Sequence, residues 1–467
     1  MTESNHWVVF PYLAFSHMIP TLELCYNLIK IKGIHITVVL DSGLIEKLKK
    51  DKLIPQALLQ SNPGIEFHPI PTFEKVDDEE IDGDKFIEIN MNHAHEAVKT
   101  INSNRKITSI LLEMYGTFCH KQVLGFNIPH YVYFTTNSFA TYFRVVQHVH
   151  PQLIQNQPEL PENITKEFAE KVLGDLNLLY WVQMRFRGGV PTTPANLKHF
   201  YFNNENTNIV AAMKNAKAVI FNSFSAFDTE NKDLLFKDTS FNTKYVHVGP
   251  VSLYNTSPKL RDSDDHPIIK WLNGQKKNSV LYIAFGSVFK VKNQEIPQIA
   301  EALLQLDIPF IWALKKDQQE YLPEKVRSCI LQENTEIPLT RKGIITSWAP
   351  QVGILKNPAV AAFVSHVGWN SFLEAISGGV PLIAWPIFAE QLINGMMILT
   401  KGMGVLMQNT GLFSKKVLQT PEIIETIRQV LPADGSSPYK AKMEYFQQKL
   451  WEAIQPNGES YKELESL

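Results

Sequence analysis

Cysteine is scarce in this chain: three in 467 residues (Cys25, Cys119, Cys329), far apart and odd in number. No zinc-type spacing links them and no disulfide framework can be built from them, which fits a reducing compartment. An excess of charge of one sign is also lacking. The 45 basic and 47 acidic side chains leave a formal net charge of −2. That balance gives no electrostatic case for nucleic acid or an anionic membrane as a partner. No stretch approaches the roughly 18–20 apolar residues that span a bilayer. The opening MTESNHWVVFPYLAF has no basic region, long apolar run or small-residue cleavage site of the kind a signal peptide carries. The expectation is a cytoplasmic protein with no integral membrane segment and no evident obligate protein partner. Low-complexity tracts are missing too, and 44% apolar and 20% charged residues are ordinary values for a globular chain.

Two fragments imitate cation sites without the surroundings such sites need. The acidic run at 77–84, DDEEIDGD, lacks the ligand spacing and closing glutamate of a calcium loop. Asp262-Ser263-Asp264 imitates a metal-binding DxD but lies in a polar linker with no strand before it. The expectation is therefore no metal and no cofactor.

What is present is repeated strand–helix–strand patterning. Trp7–Phe10 is an apolar run, a helical stretch follows from about Ile19 to Lys32, Gly33 closes it, and IHITVVL (Ile34–Leu40) comes next. Such a unit of about 35 residues is the building block of a parallel sheet. Further strands are expected at Ile110–Leu112, Tyr131–Phe134 and Ala218–Phe221. The second half repeats the logic at Val280–Phe285, Pro309–Ala313, Gly343–Thr346, Ala361–Ser365 and Pro381–Ala384. The length suits two domains of about 200 residues each, and the join is expected near 248–265, rich in turn formers and charge. The predicted domains are residues 1–249 and 250–437. The remainder, 438–467, would carry a helix (Pro438–Ile454) that crosses back to the first domain or ends the second.

Ligands of open parallel sheets bind at the carboxyl ends of strands. In the second half, one strand ends at Gly286-Ser287 and another at His366, just before a predicted helix start near Asn370. Backbone N–H groups at a helix start, with the helix dipole behind them, attract anions. Gly368 permits close backbone approach. Ser371-Phe372-Leu373-Glu374 also fits a capping box, in which Glu374 would satisfy only helix-end donors.

Residues 348–391, WAPQVGILKNPAVAAFVSHVGWNSFLEAISGGVPLIAWPIFAEQ, closely resemble the signature box of plant UDP-dependent glycosyltransferases. The resemblance runs faintly through the first half and strongly through the second. It implies an α/β GT-B fold: two facing Rossmann-like, doubly wound domains with a cleft between them, the first for the acceptor and the second for the UDP-sugar. It implies an inverting, metal-independent hexosyltransferase with UDP-glucose as co-substrate and small lipophilic hydroxylated acceptors. On that resemblance Trp348 stacks on uracil, with Ala349 and Gln351 beside the nucleoside, and Glu374 holds the ribose. Ser287, His366, Gly368, Trp369, Asn370 and Ser371 lie along diphosphate and sugar, Thr135 joins the donor side, and Glu390 and Gln391 grip sugar hydroxyls. Glutamine at the last position favours glucose. Asn357, Val367 and Ala361-Ala362 depart from the family pattern without removing a donor contact.

The sequence Ser16-His17-Met18-Ile19-Pro20 resembles the family's GHMIP, whose histidine is the general base. The chemistry needs one, because an alcohol or phenol is a poor nucleophile at neutral pH. Pro20 suits the first turn of a helix. The family orients this histidine with an aspartate. Here Glu113, in SILLEMYG, occupies that place, and its extra methylene either finds an adapted backbone or weakens the pairing. The acceptor pocket is expected from the first domain, including Phe118, Tyr142, Phe143, Trp181 and Phe186. Two rival readings stand beside the transferase: a nucleotide-sugar-binding protein with a decayed active site, and a nucleotide-sugar hydrolase or epimerase of the same fold.

Overall fold

A computed structural model of the chain describes residues 5–12, 15–50, 64–71, 83–114, 125–138, 140–141, 163–174, 202–228, 241, 243–254, 266–287, 290–332, 336–411, 414–432 and 434–467. The expected acceptor residues Phe118, Tyr142, Phe143, Trp181 and Phe186 lie outside these. So do Cys119, residues 77–82 of the acidic run and the Asp262–Asp264 triplet.

The chain divides into two compact units. The first is a seven-stranded parallel sheet in the order β3-β2-β1-β4-β5-β6-β7. Its strands are β1 (His6–Phe10), β2 (His35–Asp41), β3 (Ile65–Ile70), β4 (Ser109–Glu113), β5 (His130–Phe134), β6 (Ala218–Phe221) and β7 (Lys244–His247). β1, β4, β5 and β6 are buried at every position, as expected for a parallel sheet covered on both faces. Strand order reverses at β1, which lies between β2 and β4. The helix after β1 runs from Phe15 to Lys32, starting earlier than the sequence suggested. Pro20 is therefore inside it and not at its opening. The proline lacks the N–H that would reach the Ser16 carbonyl one turn back, while Thr21 Oγ1 donates to the next carbonyl, that of His17, at 2.8 Å.

The second unit is a six-stranded parallel sheet in the order β10-β9-β8-β11-β12-β13. It is built from β8 (Val280–Ala284), β9 (Phe310–Ala313), β10 (Gly343–Thr346), β11 (Val360–Ser365), β12 (Leu382–Ala384) and β13 (Gly404–Leu406). Here the order reverses at β8 and its neighbour β11. A large apolar cluster, including Ile283, Trp312, Ile345, Val364 and Trp385, fills one side of this sheet. Among the described residues, no helix is long and apolar enough to cross a membrane.

The chain crosses between units at other points than the sequence suggested. Residues 250–254 stay with the first unit, where Asn27 Nδ2 donates to the Val251 carbonyl at 2.8 Å. The helix Lys166–Gly174 belongs to the second unit, and just before it Ile164 N–H donates to Gln408 Oε1 at 2.8 Å. The Pro438–Ile454 stretch does not return to the first unit as a whole. Its helix, Lys440–Ala453, is held to the second by Gln447 Nε2 and Trp451 Nε1, which donate to the Ser377 carbonyl at 2.9 and 3.1 Å. The following helix, Glu459–Ser466, joins the first unit, where Tyr131 Oη donates to the Leu467 carbonyl at 3.0 Å.

Candidate active site

In the first unit three side chains meet at the carboxyl ends of β1, β4 and β5. His17 sits in the first turn of the Phe15–Lys32 helix. Glu113 is the last residue of β4, and Thr135 follows the last residue of β5. His17 Nδ1 lies 2.8 Å from Glu113 Oε1 and 2.9 Å from Thr135 Oγ1. The Glu113 side chain is 0% exposed and that of His17 is 22% exposed, so the carboxylate is sealed while the imidazole keeps a face toward solvent. Tyr12 packs edge-on to the imidazole at 5.3 Å. The extra methylene of glutamate is thus accommodated. A carboxylate on Nδ1 favours the proton there and leaves Nε2 as the basic nitrogen. The resemblance placed Thr135 on the donor side; in the structure its hydroxyl bonds the histidine.

In the second unit the candidate donor residues follow the carboxyl ends of four strands: Ser287 after β8, Trp348, Ala349 and Gln351 after β10, His366 to Ser371 after β11, and Glu390 and Gln391 after β12. The helix Trp369–Gly378 begins directly after β11, capped by Gly368. This start removes the capping-box reading, because Ser371 is already the third helical residue and Glu374 lies nearly two turns in. Glu374 is 5% exposed, and its Oε2 accepts from Gln351 Nε2 at 2.6 Å. The same Nε2 donates to Ser371 Oγ at 3.0 Å, and Gln351 Oε1 accepts from the Tyr282 hydroxyl at 3.1 Å. Gln351 therefore holds Glu374 and Ser371 in place, a supporting role the sequence did not reveal. Tyr282 was missed as well, since its place in the centre of β8 reads as core.

Trp348 is 60% exposed, which rules out a core role for its ring. Its neighbour Ala349 is buried. The His266 ring stands 5.7 Å from the Trp348 ring, tilted by 60°, making a second wall that no motif indicated. Trp369 is different: its indole is 3% exposed and packs edge-on to Phe372. Only its backbone is placed for a ligand, at a helix start where the first amides have no intrahelical acceptor.

His366 lies between two glycines. A Cβ added at Gly286 or at Gly368 would come within 2.5 or 2.7 Å of its Nε2, and Gly286 has φ +78°, so both positions require glycine. Nδ1 of His366 is buried without a hydrogen-bond partner. Orphaned buried acceptors are tolerated better than orphaned donors, which places the single proton on Nε2. Burial pushes the imidazole pKa down to about 4. His366 is then neutral at pH 7, offering one N–H donor and no charge. The unfolded chain protonates this histidine near pH 6.5, whereas the folded protein resists until about 4. Stability should therefore fall as pH drops through that window, by at most about 3 kcal/mol. Denaturant midpoints at pH 7 and pH 5 test this: His366→Asn should flatten the loss, and an equal loss in both proteins would show that His366 does not cause it.

Val367, the residue after His366, has φ +54° and is the sole β-branched residue among the positive-φ positions described. Such strain costs on the order of 1–3 kcal/mol. It is held by Ser365 Oγ, which accepts from Val367 N–H at 3.0 Å, and by buried Asn394, whose Nδ2 donates to the Val367 carbonyl at 2.9 Å. Neither partner was singled out from the sequence. Gln391 is 5% exposed, and its Oε1 accepts from the backbone N–H groups of Ile387 and Phe388 at 2.8 and 3.0 Å. Only an oxygen accepts two N–H bonds, so the NH₂ end points away from them and is fixed in direction. Glu390 caps the start of this same helix, Gln391–Thr400. Ser287 follows the β8 turn, and its carbonyl accepts from Lys315 Nζ at 2.7 Å. Lys315 is a cation at this edge that the motif reading passed over. Among the described residues, no group of three histidine, cysteine, aspartate or glutamate side chains could hold a metal ion.

The family described as UDP-glucoronosyl and UDP-glucosyl transferase matches residues 165–428. Nuatigenin 3-beta-glucosyltransferase from Solanum aculeatissimum is 36% identical over 242 residues, 48% of each chain. Scopoletin glucosyltransferase from Nicotiana tabacum is 26% identical over 99% of this chain and 97% of its own. The fold is that of a solved UDP-glucosyltransferase from Polygonum tinctorium capable of glucosylating indoxyl. The TM-score is 0.77 at 19% identity, covering 100% of this chain and 98% of that one. The two parallel sheets are thus the GT-B fold. A family match across more than half of the chain, a span that includes the Trp369–Gly378 helix start, shows that the chain belongs to the plant UDP-dependent glycosyltransferases.

Proposed function

We propose that this UDP-glycosyltransferase moves glucose from UDP-glucose to a hydroxyl group of small lipophilic plant metabolites, with inversion at C1. The observation that carries the reading is the 2.8 Å contact between His17 Nδ1 and the buried Glu113 carboxylate. A histidine so paired is equipped to remove a proton, which a binding protein with a decayed site has no use for. His17 takes the acceptor proton on Nε2 as the acceptor oxygen attacks C1. Glu113 stabilises the imidazolium that results. The C1–O bond to the diphosphate breaks, so an α-linked donor gives a β-glucoside. The leaving UDP is stabilised by the Trp369–Gly378 helix start and by neutral His366, dipoles already in position before charge develops. Acceptor chemistry is supported by relatives that glucosylate scopoletin and nuatigenin. The glucose preference rests on Gln391 and Glu390. No metal or further cofactor enters this scheme, and a cytoplasmic setting fits the sparse cysteines.

The test compares kcat/KM for UDP-glucose, UDP-galactose and UDP-glucuronate with one acceptor drawn from a phenol and triterpenoid panel, with and without excess EDTA. UDP-glucose should lead, and activity should survive chelation. Preference for another sugar would overturn the donor assignment, and loss on chelation with recovery on adding manganese would overturn the metal-free scheme. Hydrolysis of UDP-glucose without any acceptor would favour a hydrolase. Trp348→Ala should weaken UDP binding by about tenfold, since base–aromatic stacking contributes roughly 1–3 kcal/mol. Titration calorimetry with UDP checks this, and unchanged affinity would remove Trp348 from the nucleoside site.

A further inference from the structure

We propose that Thr135 is a positioning residue of the base. Its hydroxyl donates to Glu113 and thereby holds His17 with the proton on Nδ1 and the lone pair on Nε2. The inference rests on the transferase reading given above.

The oxygens of Thr135 and Glu113 share one corner of the imidazole. Thr135 Oγ1 is 2.9 Å from His17 Nδ1 and 3.4 Å from Glu113 Oε1, while Oε1 is 2.8 Å from Nδ1. Thr135 is 5% exposed, so solvent does not compete strongly for its hydroxyl. A hydroxyl carries one proton, and two arrangements follow. In the first, Thr135 O–H points at Glu113, Nδ1–H points at the same carboxylate, and a Thr135 lone pair lies beside the Nδ1 proton. Every proton then has an acceptor. In the second, Thr135 O–H points at a bare Nδ1, and Glu113 Oε1 faces a nitrogen lone pair at 2.8 Å with no proton between them. Two acceptors repel, and Nε2 now carries the proton and cannot act as a base. The glutamate charge selects the first arrangement, and Thr135 secures it from the side. Glutamate has one more rotatable bond than the family's aspartate, so a second donor on the same oxygen limits its swing.

The experiment measures kcat and KM for T135V and T135S, in the wild-type and the E113Q backgrounds. It also follows the ring nitrogens of His17 by NMR in the protein labelled with ¹⁵N-histidine, assigned with H17A. T135V should lower kcat about tenfold, the scale of a lost hydrogen bond to a charged group, with KM for UDP-glucose unchanged, and T135S should restore the rate. In E113Q the opposing charge is gone and Thr135 is able to hold the wrong tautomer. There T135V should raise kcat or leave it alone, a departure from additivity that independent residues do not give. The NMR should show Nδ1–H in the wild type, a shift toward Nε2–H in E113Q, and a return in the double variant. A higher KM for UDP-glucose by the same factor in both backgrounds would overturn the proposal and assign Thr135 to the donor sugar. Nε2–H in the wild type would also overturn it. If the wild type transfers no sugar to any acceptor, the transferase reading fails, while the NMR still decides the role of Thr135. Should T135V melt well below the wild type, T135A removes the same hydroxyl and takes its place.

Discussion

His17→Ala should cut sugar transfer by about a hundredfold or more and leave UDP affinity unchanged. The two halves of this expectation come from separate parts of the chain. His17 belongs to the first unit, whereas the residues expected to hold UDP, Trp348, Glu374 and His366, belong to the second. Alanine at 17 removes the proton acceptor and the hydrogen bond to Glu113, but none of the contacts that fix Glu374 or His366. Single-turnover rates with a phenol, set beside calorimetric UDP binding, test both halves. A variant that keeps most of its rate would remove the histidine from the chemistry. One that loses UDP binding as well would point to a wider structural fault.

Glu113→Gln should lower kcat by an amount short of the roughly 10⁴ seen when the partner of a serine-protease histidine loses its charge. The size of the side chain is kept, but the charge that holds the proton on Nδ1 is lost, and the unproductive tautomer gains population. Glu113→Asp is the sharper comparison. The existing contact is made by glutamate at 2.8 Å, and shortening the side chain withdraws the carboxylate by about 1.5 Å, where errors near 1 Å cost about a hundredfold. Aspartate should therefore slow transfer, even though it restores the residue usual in the family. A faster aspartate variant would mean that glutamate is a poor fit. A glutamine variant equal to wild type from pH 6 to 9 would leave His17 acting without this partner.

Much of this architecture was legible in the sequence, and the gaps share a physical cause. The expected strands Ala218–Phe221 and Gly343–Thr346 stand as read, the latter at a sheet edge, and the other expected strands differ by one residue at one or both ends. The three unforeseen strands, β3, β7 and β13, are all at sheet edges. Edge strands need fewer apolar side chains, and β3 even contains Pro69, which an edge tolerates and a central strand does not. Site residues on motif positions were legible because a short span of sequence holds them together. Those supplied from elsewhere were not. Tyr282, His266 and Asn394 reach the site through pairing and packing, and nothing in their local sequence separates them from core residues. Topology also explains why the candidate residues sit where they do. His17 follows β1 and Glu113 ends β4, while Ser287 and His366 follow β8 and β11. Each pair flanks a point where strand order reverses, the usual ligand position in open sheets. Strand prediction alone does not give that order.

The Glu459–Ser466 helix has a consequence for the behaviour of the chain in solution. β7 is the outer strand of its sheet, and an unpaired strand edge is a template on which another chain adds by main-chain hydrogen bonding. Here the backbone N–H of His247 on β7 is taken by the carboxylate of Glu463, and the Lys244 ammonium donates to Ser466 Oγ at 3.0 Å. The Glu459–Ser466 helix thus covers that edge: removing it should leave the candidate donor residues untouched and expose a strand open to pairing.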